Sequence, residues 1–238
     1  MTLLLLHAFP LDNRLWKPQQ AALGGEFQIL APNLPGAPID VAADAVIQLL
    51  DQHHVPKAAI AGISRGGYIA MSIARRYPER LSALILMDTR ATPADEKEKQ
   101  HWDRFLNRLE KEGITVAPEI MLPRLITQPQ LAGPITDIIL SQDPQSVAAA
   151  ARGMVDRPDA RPFLKDIRVP TLAIAGVDDI AFESTQAIAA AIPGAVFVSV
   201  PGAGHLSTLE QPEVVNETIR RFLCTVGDFA GATSGALS

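Results

Sequence analysis

The chain has 238 residues, 47% of them apolar, enough for one sizeable core without disulfide staples. A net charge of −5 with no basic run argues against nucleic acid or an anionic membrane surface as partner. A single cysteine, Cys224, excludes an internal disulfide; it falls in a final amphipathic helix, where burial is expected. In chain order, short apolar runs predict strands at Leu3–Leu6, Phe27–Ala31, Lys57–Ala61, Ala83–Met87, Thr171–Ala175 and Ala195–Val200. Helical patterns separate most of them, including Val41–Leu50 and the stretch from Gly66 toward Tyr77, which Pro78 stops. Such alternation gives an α/β fold: a mostly parallel sheet of about six strands flanked by helices.

Between Met87 and Thr171 there is no strand-like run, and the interval is too long for one crossover. Its helical pieces, near Ala94–Glu112, Ala117–Ile126, Ile135–Ser141 and Gln145–Val155, are split by Gly113 and several prolines. The charges from Asp95 to Arg104 read as a solvated face. Met1–Leu6 is apolar but has no basic region before it, and His7 ends it below signal-peptide length, so a cytoplasmic location is expected.

The chemistry concentrates in Gly62-Ile63-Ser64-Arg65-Gly66, at the junction of the third strand and its helix. A sharp strand-to-helix turn strains the central serine outward, and the flanking glycines leave space where a Cβ would collide. The free amides of the helix start favour negative charge beside Ser64. Alone, such a string is often only a glycine-rich turn; the strand before it and the helix after it raise its weight. A serine needs a base, and His205, in the loop Pro201–His205 after a late strand, is the best placed of five histidines. His53 and His54 read as solvated helix-end residues, and His101 as a surface residue of a charged helix. For the orienting carboxylate, Asp179 in Gly176-Val177-Asp178-Asp179 is the first choice; spacing does not exclude Asp178, and Asp88 also ends a strand. Any of the three could instead cap a helix.

The order Ser64, Asp179, His205, together with the elbow, His7-Ala8-Phe9-Pro10, Gly176–Asp179, and Gly204-His205 followed by Glu210–Glu213, resembles the α/β-hydrolase superfamily, in its branch of small carboxylesterases, 3-oxoadipate enol-lactonases and cofactor-free haloperoxidases. The likeness runs from Leu3 to Leu223. It implies Ser64 as nucleophile, His205 as base, Asp179 as acid, and an oxyanion hole from the backbone amides of Phe9 and Arg65. His7 is expected to pack beneath that hole. It also implies an α/β-hydrolase core at residues 1–88 and 166–225, lacking the family's opening hairpin, a helical cap at 89–165 and a flexible tail at 226–238. Apolar cap residues Trp102, Met121, Leu125 and Met154 are expected to line the substrate pocket, Phe105 being a further candidate.

The implied activity is hydrolysis of a small carboxylic ester through an acyl-enzyme, with neither metal nor organic cofactor. Lactone hydrolase, thioesterase and perhydrolase use the same triad and stay open, as does a non-enzymatic ligand-binding homologue; the oligomeric state is left open. Two departures from the family pattern stand out. Ala8 replaces the usual glycine, which would misaim the Phe9 amide if the loop needed a positive φ. Arg65 replaces an apolar residue or glutamine; its side chain either faces the pocket, favouring acidic substrates, or pairs with a nearby acid.

Overall fold

The computed structural model describes residues 1–234. Six strands form one fully parallel sheet: β1 (Thr2–Leu6), β2 (Gln28–Leu30), β3 (Ala58–Ile63), β4 (Leu81–Met87), β5 (Thr171–Gly176) and β6 (Val196–Val200). Their spatial order is β2-β1-β3-β4-β5-β6. The four inner strands are nearly continuous apolar runs because both faces are covered, whereas the edge strands β2 and β6 are partly exposed. At three residues, β2 is shorter than the sequence predicts, and a short edge offers little backbone for unwanted pairing.

Helices α1 (Lys17–Leu23), α2 (Ile39–Gln52) and α3 (Arg65–Arg76) alternate with the first strands, and α4 (Glu96–Glu112), α5 (Val116–Leu125), α6 (Ala132–Leu140), α7 (Pro144–Val155) and α8 (Arg161–Leu164) fill the interval after β4. The chain ends through α9 (Phe182–Ala191), α10 (Ser207–Glu210) and α11 (Pro212–Ser234). Alternate strand residues build two cores, as the pleat requires. Leu4, Leu6, Ile60 and Leu86 pack with Val46, Ile69 and Ile188 of α2, α3 and α9. Leu3, Leu5, Ala61, Ile85 and Ile174 pack with Ile219 of α11 in a cluster that continues into Trp102, Phe105, Met121 and Met154 of the α4–α7 segment.

At one seam this segment touches the strand layer backbone to backbone. A Cβ on Gly36 would lie 2.6 Å from Ser146 Cα, and one on Gly153 would lie 2.5 Å from the Ala37 carbonyl oxygen. Elsewhere Arg157, buried beneath α4, holds Glu98 by two hydrogen bonds of 2.8 Å.

Three expectations are corrected. Cys224 is exposed, because the buried stripe of α11 is Val215, Ile219, Leu223 and Val226, and position 224 falls off it. His101 is half-buried, its ring edge-on to Trp102 at 5.5 Å. With no proline after Pro212, α11 runs on to Ser234, past the core end expected at 225; residues 235–238 lie outside the described residues.

Candidate active site

Because all six strands run parallel, their carboxyl ends share one rim of the sheet, and the loops there meet. Ser64 follows β3 with φ 54° and ψ −116°, a conformation that strains any residue with a Cβ. The turn closes only because its neighbours are small: a Cβ on Gly62 would lie 2.2 Å from the Gly66 carbonyl oxygen, and one on Gly66 only 2.0 Å from that of Leu6. Thr89, just past β4, donates from Oγ1 to the Ser64 carbonyl at 2.9 Å and pins the elbow from the neighbouring strand.

His205 follows β6, and its Nε2 lies 2.8 Å from Ser64 Oγ. Its Nδ1 lies 2.9 Å from Asp179 Oδ1, three residues past β5. The tautomer that serves both contacts has the proton on Nδ1, donated to Asp179, and Nε2 as acceptor of the Ser64 hydroxyl. Burial opposes charge on this imidazole, yet the charge and hydrogen bond of Asp179 outweigh it, so the His205 pKa rises above its ordinary 6.5. Asp178 points to solvent, while the Asp179 side chain is fully buried. Of the two adjacent carboxylates, only Asp179 is within hydrogen-bonding reach of His205.

Asp88 stands behind this pair rather than in it. Its carboxylate accepts the Gly176 amide at 2.8 Å and the Ser207 hydroxyl, thereby joining the strand end before Asp179 to the turn after His205. Burial, then the nearby charge of Asp179, pushes its pKa up to about 7. Glu210 has an equally connective role: its carboxylate accepts the Gly204 amide at 2.6 Å and the Thr127 amide and hydroxyl at 2.6 and 2.7 Å. It thus ties the histidine loop to the end of α5.

His7 accepts the Leu34 amide at Nε2 (2.9 Å) and bonds the Ala8 carbonyl through Nδ1 (3.0 Å). Burial lowers its pKa to about 4, which keeps it neutral. Ala8 is absent from the residues with positive φ, so alanine sits there without strain and the anticipated misaiming of Phe9 has no basis. Phe9 borders the same pocket as Ser64, its ring edge-on to Trp102 at 5.3 Å. The Arg65 amide is the first of α3, among those without an intrahelical partner.

The Arg65 side chain disagrees with both expectations. It turns away from Ser64 and donates Nη2 to the Pro35 and Ala37 carbonyls at 2.7 and 3.2 Å, so it neither faces the pocket nor pairs with an acid. Burial lowers its pKa to about 10.

The cleft above Ser64 and His205, open to solvent, is lined by Trp102, Met121, Leu125 and Met154 as the sequence suggested; Phe105 packs behind them. Six further lining residues escaped the sequence expectations: Tyr68, Arg90, Glu98, Arg124, Ile180 and Ala181. The one available signal was the spacing Met121, Arg124, Leu125, which shares a helix face.

The profile of the alpha/beta hydrolase family matches residues 3–218. The chain belongs to this family. Among solved structures, this hydrolase is similar to a thermophilic esterase from Thermogutta terrifontis, a structure with malate bound, at 38% identity and a TM-score of 0.91 over 95% of this chain and 90% of that one. It is 26% identical to 3-oxoadipate enol-lactonase 2 of Acinetobacter baylyi over 86% of this chain and 82% of that protein. Carboxylesterase YbfK of Bacillus subtilis is 27% identical, with 94% and 80% covered. Among the described residues no helix is long and apolar enough to cross a membrane.

Proposed function

We propose that this hydrolase cleaves a small carboxylic ester by a Ser-His-Asp acyl-enzyme mechanism. The observation that carries the proposal is the continuous chain Ser64 Oγ, His205 Nε2, His205 Nδ1, Asp179 Oδ1, with links of 2.8 and 2.9 Å. His205 takes the Ser64 proton as Oγ attacks the ester carbonyl, and Asp179 holds the ring and stabilises the imidazolium. The amides of Phe9 and Arg65 receive the tetrahedral oxyanion, beside the positive end of α3. Collapse expels the alcohol, which takes the proton from His205. Water, deprotonated by the same histidine, then attacks the acyl-enzyme and frees the acid. Residues 89–165 act as a cap, with Trp102, Met121, Leu125 and Met154 holding the substrate's apolar part.

The esterase names of two relatives support this reading. A lactone is a cyclic ester and passes through the same steps, so the enol-lactonase relative supports the same machinery with a ring-opened product. Purified protein should release nitrophenolate from p-nitrophenyl acetate, and Ser64→Ala should lower kcat/KM by about ten-thousandfold. Retention of most of the activity in that variant would refute the mechanism.

A further inference from the structure

The charges around the catalytic cleft do not balance. Arg90, Arg124 and Glu98 border it, and Arg157 reaches Glu98 from behind. Both Glu98 oxygens are taken by Arg157 at 2.8 Å, one of them also lying 3.4 Å from the Trp102 indole nitrogen. Arg90 is 4.0 Å from the same carboxylate and donates to the Ile180 carbonyl at 3.3 Å. The other acid that borders the cleft, Asp88, is committed to Gly176 and Ser207, and Asp179, buried beneath it, to His205.

Arg124 is different. Exposed at the cleft mouth, it has no hydrogen bond or ion pair among the described residues; surrounding protein, and then the like charge of Arg90, lower its pKa. It leaves α5 on the same face as Met121 and Leu125, so its stem continues the apolar wall and its head stands where that wall ends. An anion there would relieve the repulsion between two guanidinium groups, and a planar carboxylate matches the guanidinium fork.

We propose that Arg124, with Arg90 beside it, is a carboxylate-binding subsite at the cleft mouth, and that the substrate is an ester carrying a free carboxylate at the end away from the scissile bond. This assignment rests on the hydrolase reading above. The apolar lining takes the carbon chain between the two ends, and the guanidinium pair sets which esters are oriented for attack by Ser64. The selectivity for acids that Arg65 would have supplied thus belongs to Arg124.

The test is a matched pair of substrates, mono(4-nitrophenyl) glutarate and its methyl-capped diester, both read by nitrophenolate release. Wild-type protein should prefer the hemiester by about tenfold to a hundredfold in kcat/KM, mainly through KM, as expected for one charge-assisted contact. The preference should shrink with added salt. Arg124→Gln should bring the ratio close to one, Arg124→Lys should keep part of it, and Arg90→Gln should lower it less. Labelling of Ser64 by a fluorophosphonate checks that each variant is folded.

A ratio unchanged in Arg124→Gln, or no wild-type preference, overturns the subsite. Should wild-type protein turn over neither substrate, the hydrolase reading fails separately. The subsite is then judged by calorimetry of glutarate with the Ser64→Ala protein: binding abolished by adding Arg124→Gln supports it, and absence of binding overturns it.

Discussion

Asp88 offers a test that needs no substrate. Its side chain is fully buried, its backbone has φ 47°, and burial together with Asp179 lifts its pKa from 3.8 to about 7. In the unfolded chain the carboxyl ionises near 4, so between about pH 4 and pH 7 the folded protein holds a proton that the unfolded chain has lost. Stability from this group is therefore fully present below pH 4 and falls as pH rises toward 7, by about 1.4 kcal/mol per pH unit. Asp88→Asn keeps the shape and removes the titration. From pH 5 to pH 8 the variant should gain about 3 kcal/mol relative to wild type, a Tm difference widening by roughly 5–10 °C for a chain of this size. Thermal unfolding of both proteins across that range is the assay. Parallel Tm curves would mean that Asp88 is ionised throughout and would refute the reasoning. Activity gives a second contrast: Asp179→Asn should cost about ten-thousandfold, far more than Asp88→Asn, because only Asp179 holds the His205 ring.

Two further outcomes follow from the site. The acid limb of kcat/KM should report the free-enzyme pKa of His205 and fall above pH 6.5, since the protonated imidazole cannot take the Ser64 proton; a limb below 6.5 in the pH profile would contradict the raised pKa. Gly66→Ala would drive a Cβ to 2.0 Å from the Leu6 carbonyl oxygen, both groups being backbone, and should cost about 3 kcal/mol or more in denaturant unfolding while abolishing esterase activity.

What the sequence made legible was local. The inner strands announced themselves because double burial turns them into unbroken apolar runs, and the elbow because a tight strand-to-helix turn demands glycines at fixed offsets from the serine. Asp178 and Asp179 were harder to separate, since only the path of the backbone after Gly176 decides which of two adjacent carboxylates turns inward. Arg65 shows a related limit: a side chain one residue from Ser64 leaves the helix in the opposite direction, toward carbonyls some 30 positions earlier. Glu210 was invisible as a brace because its partners Thr127 and Gln128 lie 83 and 82 positions away, and no periodicity connects them. Arg124 could be placed on the face of Met121 and Leu125, but its lack of a partner emerges only once Arg90 after β4, Glu98 of α4 and Arg157 after α7 are in place.

The glycine seam between residues 36–37 and α7 bears on how the 89–165 segment can be transplanted. Ser146 and Gly153 meet the loop after β2 with no side-chain layer between, so the two surfaces fit like a dovetail whose halves are encoded more than a hundred positions apart. Grafting the 89–165 segment from a relative with a side chain at position 153 would drive its Cβ against the Ala37 carbonyl, and a recipient with a side chain at position 36 would meet the backbone of residue 146. A chimera that exchanges this segment must therefore carry residues 35–38 with the helices they receive, making the transferable unit discontinuous in the gene though contiguous in space.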